Sequence, residues 1–168
     1  MFLQDAEVRR RCRSVLALLD PPRPFSVPAL CRQLAEQRAR PLRLHPLPRQ
    51  AAASGVCGLW LATDTDDHIF FEQRTGRLHQ EHIVLHEIGH VLLDHHTTLP
   101  DGDGMRMLLP DLAPHLVRRL LGRTNYTTPQ EREAETLASL IRTTAEEAGS
   151  APSDGALRKL HTALGVHI

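Results

Sequence analysis

The chain has 168 residues, 41% of them hydrophobic and 24% charged, with 20 Lys+Arg balancing 20 Asp+Glu. That composition excludes disorder as the dominant state, because there is enough apolar surface to bury, and the length suits one domain with its own core. No apolar run approaches the roughly 18–20 residues of a membrane span, and three cysteines (Cys12, Cys31, Cys57) without a CxxC pair argue against a disulfide framework.

Net neutrality hides a gradient. Residues 1–50 carry ten arginines against four acids, whereas residues 51–168 carry ten bases against sixteen acids. A basic N-terminal part suits contact with nucleic acid or an acidic partner, and equally a solvated helix face. The stretch Met1 to Glu7, followed by Arg9-Arg10-Arg11, lacks the basic, apolar and small-residue order of a signal peptide. With the cysteine usage, this predicts a reduced, cytoplasmic protein.

In chain order, Val8, Cys12, Val15, Leu16 and Leu19 recur at helical spacing and predict a first helix over 3–19. Asp20-Pro21-Pro22-Arg23-Pro24 ends it, because proline cannot continue a helix and biases its predecessor towards extended structure. A second helix is expected from near Ser26, with Pro28 in its first turn, to Arg38. Residues 41–45 alternate and read as a short strand, and 51–58 read as a loop. Residues 59–63 and 68–72 predict a hairpin around the polar loop Asp64 to Asp67, with Trp60 and the Phe70-Phe71 pair in the core. Long helices are expected over 76–94 and 129–148; between them, 101–104 reads as a turn and 113–121 as helical. The predicted organisation is one domain over 1–148, with a helical part over 1–40 and the strands and two long helices over 41–148. A linker and short terminal helix are expected in 149–168.

The strongest chemical signal is His86-Glu87-Ile88-Gly89-His90, an H-E-x-x-H. Histidines at i and i+4 stand one turn apart on one helix face, so both imidazoles can reach one metal ion. The glutamate between them can serve as general base towards a metal-bound water. Eleven His and ten Glu in this chain produce such a match by chance at a frequency of only about 0.04. Helical phase adds weight. At about 100° per residue, Val84, Leu85, Ile88, Val91 and Leu92 form an aliphatic stripe, with His86 and His90 on the opposite side.

Two histidines leave a catalytic zinc site one protein ligand short. The candidates lie in the later helix, whose buried face is expected to be Ala134, Leu137, Ala138 and Ile141. Glu131 sits roughly 70° from the centre of that face, ahead of Glu133 and Glu135 at about 90° and 110°. Glu131 also fits a capping box with Thr128, a competing structural role. Glu135, one turn on, suits an acid that orients a ligand histidine, or the ligand itself if Glu131 only caps. His82 reads as the rim of the cleft, since a fourth protein ligand would close the site to water. His79, His95 and His96 read as solvent-exposed helix-end residues. Tyr126 suits either a hydrogen-bond donor to a tetrahedral oxyanion or a buried structural tyrosine.

The run His86-Glu-Ile-Gly-His-Val-Leu-Leu93 and the later Glu131-Arg-Glu-Ala-Glu-Thr-Leu-Ala138 resemble the ImmA/IrrE family of bacterial zinc metallopeptidases. There the first helix reads HELGH followed by aliphatics, and the later one E-x-x-A-N/D-x-F-A. The resemblance spans about residues 26–145. Glu135 stands in place of Asn or Asp, and Leu137 in place of Phe. The resemblance implies zinc on His86, His90 and Glu131, with Glu87 as catalytic base. It also implies cytoplasmic cleavage of a helix-turn-helix repressor, often encoded beside the peptidase in a regulatory or toxin–antitoxin-type module.

The expected fold is therefore an α+β, zincin-like domain, with a short, mostly antiparallel sheet packed on the H-E-x-x-H helix and N-terminal helices attached. Its strand His68 to Glu72 is expected to offer an edge for an extended substrate. Two other function classes fit the same residues. One is a zinc-binding regulatory module that captures such a partner without cutting it. The other is a DNA-binding protein using the Arg-rich first two helices, although no clear DNA-reading motif accompanies the basic surface.

Overall fold

The computed structural model describes residues 2–53, 55–62, 65–95 and 126–150. Among them the elements are α1 (Phe2–Leu19), α2 (Val27–Arg38), β1 (Leu42–Pro46), α3 (Arg49–Ala53), β2 (Gly58–Ala62), β3 (Asp67–Phe71), α4 (Arg77–Leu92) and α5 (Thr128–Ser150). The expected turn at 101–104, helix at 113–121 and terminal helix lie outside the described residues. Gly149 and Ser150, assigned above to the linker, are the last residues of α5. No helix among the described residues is long and apolar enough to cross a membrane.

The N-terminal helices end and begin where their chemistry requires. Asp20 adopts a left-handed φ of 45° beyond α1, and Gln33 of α2 donates to the exposed carbonyls of Leu19 and Asp20. Ser26 caps α2, its hydroxyl accepting from the Ala29 amide at 3.2 Å, with Pro28 in the first turn where a missing N–H costs nothing. Val27, Leu30, Cys31 and Leu34 turn one face of α2 into the core.

The sheet corrects the expectation of mostly antiparallel pairing. It has three strands in the order β1-β3-β2; β2 pairs antiparallel with β3, but β1 runs parallel to it. β3 is thus the central strand and offers no free edge. The physical reason is burial: Asp67, His68, Ile69 and Phe70 are all buried. β1, by contrast, carries exposed Arg43 and ends at Pro46, residues suited to an outer edge. The parallel pairing needs a crossover, and α3 lies on it, its last residues falling in the 51–58 stretch expected above to be loop.

Asp67, placed above in the hairpin loop, instead opens β3 and is fully buried. Its carboxylate accepts from the Arg38 guanidinium, from Arg40 Nε at 3.3 Å and from Trp60 Nε1 at 3.1 Å. Its amide donates to Pro41 O at 2.9 Å. A buried carboxylate is costly unless paired, and this one ties the end of α2, the start of β1 and both strands of the hairpin together. Part of the N-terminal arginine excess is therefore spent inside the fold.

α4 packs against β2 and β3, α5 packs on α4, and α1 packs on α5. The core fills the first of these layers with Trp60, Ile69, Val84, Leu85 and Ile88, and the second with Leu137, Ala138 and Ile141.

Burial alone would raise the Asp67 pKa, but the bonds from Arg38, Trp60 and Arg40 outweigh it and hold the carboxyl below its ordinary value. The stabilisation is therefore full above about pH 4, where an unfolded aspartate ionises, and is lost as pH falls through the lower folded value. Asp67→Asn is expected to cost about 3 kcal/mol at pH 7. The gap between variant and wild type in urea midpoint should narrow on acidification; a gap independent of pH would show that the charge contributes nothing.

Candidate metal centre

One face of α4 carries His82, His86 and His90, one turn apart, beside the cleft that opens towards the start of β2. Of the expected stripe, Val84, Leu85, Ile88 and Val91 are buried, while Leu92 is half-buried. The histidine side is not simply open to a cleft: α5 covers it, and His90 is fully buried.

The approach of the two helices is set by Gly89. A Cβ there would lie 2.8 Å from the Ala134 carbonyl oxygen and 3.0 Å from its Cα. Only a glycine opposite an alanine lets the backbones come this close. On α5, Ala134, Leu137, Ala138 and Ile141 are all fully buried, the face expected from the sequence.

The capping box is displaced by one residue from its expected place. Thr127 Oγ1 accepts from the Gln130 amide at 3.4 Å, while Gln130 Oε1 accepts from the Thr127 amide at 3.0 Å. Thr127 and Gln130 thus occupy the role considered for Thr128 and Glu131. The Glu131 carboxylate is left to face α4.

There it meets the histidine pair. Glu131 Oε2 lies 3.0 Å from His86 Nε2 and 3.8 Å from His90 Nε2, and the two Nε2 atoms are 3.1 Å apart. One ligand atom from each of the three residues falls within 4.8 Å of the others. Glu135 stands behind His86, its Oε2 3.1 Å from Nδ1, and its Oε1 is 2.9 Å from His82 Nε2. Burial alone would raise Glu135, but the hydrogen bonds and charges of His86 and His82 hold it below its ordinary pKa. An ionised Glu135 takes the Nδ1–H of His86 and leaves Nε2 bare, the state a metal ligand needs.

Glu87 points from the same turn of α4 towards Gly58 at the start of β2, where a Cβ would lie 2.6 Å from its Oε1. The side chain is only 5% exposed, and Oε2 is buried without a hydrogen-bond partner among the described residues. Burial, reinforced by the negative charge of Glu131, pushes its pKa up to about 8. Burial also pushes His90 down to about 3, with contributions from His86 and His95, so its imidazole is neutral. Tyr126 stacks on His90, ring centroids 3.6 Å apart and planes 10° apart, and its buried hydroxyl has no hydrogen-bond partner among the described residues. Burial, with Glu87 and Glu131, drives that phenol well above its ordinary pKa. A cleft of about 430 Å³ is bounded by His86, Glu87, Tyr126 and Glu131 on one side and by Cys57 and Gly58 on the other.

These residues fit a metal ion by their donor chemistry. Two imidazole nitrogens and a carboxylate oxygen converge, each able to offer a lone pair to a cation held among them. Such a donor set takes several divalent ions, zinc among them.

His95 corrects the sequence reading. It was expected to be a solvent-exposed helix-end residue, as was His96, which lies outside the described residues; yet His95 is only 4% exposed. After α4 the chain makes a Schellman turn: the Asp94 amide donates to Val91 O at 3.3 Å, and the His95 amide to His90 O at 3.0 Å. Asp94 takes the left-handed conformation at φ 58°, a position usually given to Gly or Asn. The turn folds His95 back on the metal-site helix, with Nδ1 3.0 Å from His90 Nδ1. An aspartate closing an apolar helix just before a histidine was the available signal. His79, by contrast, is exposed as expected.

No family model, curated protein or solved structure matches this chain.

Gly89→Ala is expected to lower stability even though alanine favours the helix by up to about 1 kcal/mol. The obstacle is Ala134 backbone, which cannot swing aside, and overpacking of this kind costs about 1–3 kcal/mol. Thermal unfolding should show a lower midpoint. A raised midpoint would mean that the helices have room to spare.

Proposed function

We propose that this protein is a zinc-dependent metallo-endopeptidase that cleaves a peptide bond in a partner protein. The observation that carries the reading is the convergence of His86 Nε2, His90 Nε2 and Glu131 Oε2 beside a buried Glu87 in one cleft. A zinc ion held by those three residues would supply Lewis acidity to a peptide carbonyl and acidity to a water molecule.

The chain's own residues supply the rest. Glu87, buried beside the donor cluster, takes a proton from the attacking water and returns it to the leaving amine. Glu135 keeps His86 oriented. Tyr126, whose hydroxyl has no hydrogen-bond partner among the described residues, would donate to a developing oxyanion. The strand beside the cleft is β2, which among the described residues pairs only with β3, so β2 takes over the edge role expected of the 68–72 strand. An extended substrate segment adding along β2 would bring its backbone past Glu87.

The resemblance to ImmA/IrrE peptidases supports a helix-turn-helix repressor as the substrate, in a regulatory or toxin–antitoxin-type module, and a cytoplasmic setting.

Elemental mass spectrometry on the purified chain should find close to one zinc per chain. Zinc should be lost in Glu131→Gln and retained, more weakly, in Glu135→Gln. Absence of metal under conditions that preserve it in control zinc enzymes would overturn the reading. Glu87→Gln should keep the metal and abolish cleavage of a helix-turn-helix protein encoded beside this one. Undiminished cleavage would sink the assigned base. A wild-type protein that binds metal and repressor without cutting would identify a capture module instead.

A further inference from the structure

Behind His90, away from the cleft, runs a second line of polar contacts that the proposed chemistry does not use. Arg11 of α1 donates from Nη1 to Glu133 Oε1 at 2.8 Å and from Nη2 to the Leu93 carbonyl at 3.4 Å. Glu133 Oε2 lies 2.7 Å from His95 Nε2, and His95 Nδ1 lies 3.0 Å from His90 Nδ1. The backbone of Glu133 is held as well, its carbonyl accepting from Cys12 Sγ at 3.5 Å. The Glu133 side chain is 14% exposed and that of His95 4%.

We infer that Arg11, Glu133 and His95 are positioning residues that dictate which ring nitrogen of His90 is bare, and so link the N-terminal helix to the metal site. The inference rests on the metal reading of His90 for its purpose, though not for its test.

The direction of the chain follows from what each group can do. A guanidinium only donates and a carboxylate only accepts. His95 must therefore carry its proton on Nε2, facing Glu133. In neutral His95 that leaves Nδ1 as an acceptor, which His90 can satisfy only by presenting Nδ1–H. His90 Nε2 is then bare, and it faces His86 Nε2 and Glu131 Oε2. His86 receives the same instruction from Glu135 directly. His90 lies too deep for that, and receives it through an intervening imidazole.

Arg11 gives the arrangement its polarity. In Glu133→Gln, the arginine retains the amide oxygen and the amide NH₂ turns to His95. His95 must then accept at Nε2 and donate from Nδ1, so His90 moves its proton to Nε2 and ceases to be a ligand. Removing Arg11 as well frees the amide to turn its oxygen back to His95.

The test is histidine tautomer assignment by long-range ¹H–¹⁵N NMR on the metal-free full chain, with zinc affinity measured beside it by chelator competition. Wild-type His90 is expected to be protonated at Nδ1. Glu133→Gln should move that proton to Nε2 and weaken zinc binding about 10–100-fold. The double variant Arg11→Met/Glu133→Gln should restore both. A wild-type His90 protonated at Nε2 overturns the inference whether or not any variant folds, and so does a Glu133→Gln protein with unchanged tautomer and affinity. Tautomers that follow the expected pattern in a protein that binds no zinc would uphold the positioning chain while removing the metal reading.

Discussion

The approach of α5 to α4 at Gly89 and Ala134 is the constraint on which the site depends. With no side chain at 89, the two backbones meet at a separation that a Cβ would forbid. That proximity brings Glu131 and Glu135, on the first turns of α5, within hydrogen-bond reach of histidines spaced one turn apart on α4. A wider crossing would leave the same residues on the same helices with nothing between them but solvent. The small pair at the crossing is thus as much a part of the site as the residues it brings together.

Close packing has an electrostatic consequence. Both sides of α4 are covered, one by the sheet and the other by α5, so its polar side chains sit where unpaired charge is expensive. The histidines respond by joining lines of acceptors: His86 to Glu135, and His90 through His95 to Glu133. Glu87 has no such line, and burial raises its pKa instead. One helix therefore holds a buried, neutral His90, a His86 braced from behind by Glu135 and a carboxyl whose pKa burial pushes up to about 8. This separation of roles suits ligands and a base.

The N-terminal helices contribute more than a basic surface. Arg11 closes the line behind His90, while Arg38 and Arg40 neutralise Asp67 and tie α2 to the sheet. Much of the charge gradient along the chain is answered internally, by acids that are distant in sequence. A composition-level reading of residues 1–50 as a nucleic-acid surface could not see those partners.

The sequence alone determined what depends on neighbours a few residues away. The proline run ending α1, the start of α2 near Ser26, the apolar stripe of α4, the buried face of α5 and the His86/His90 spacing all follow from local periodicity and proline chemistry, and the elements stand close to where these place them. Two capping boxes one residue apart, Thr127–Gln130 and Thr128–Glu131, satisfy the same local rule; choosing between them required the neighbouring helix. Strand order was likewise out of reach, because β1 can pair beside β3 only once α3 has carried the chain across. His95 looked exposed because its burial comes from an aspartate in a left-handed turn and a glutamate 38 residues away. Local chemistry sets helices and their faces, whereas the tertiary structure decided which faces meet, because that depends on close approach between segments whose separation along the chain carries no periodic signal.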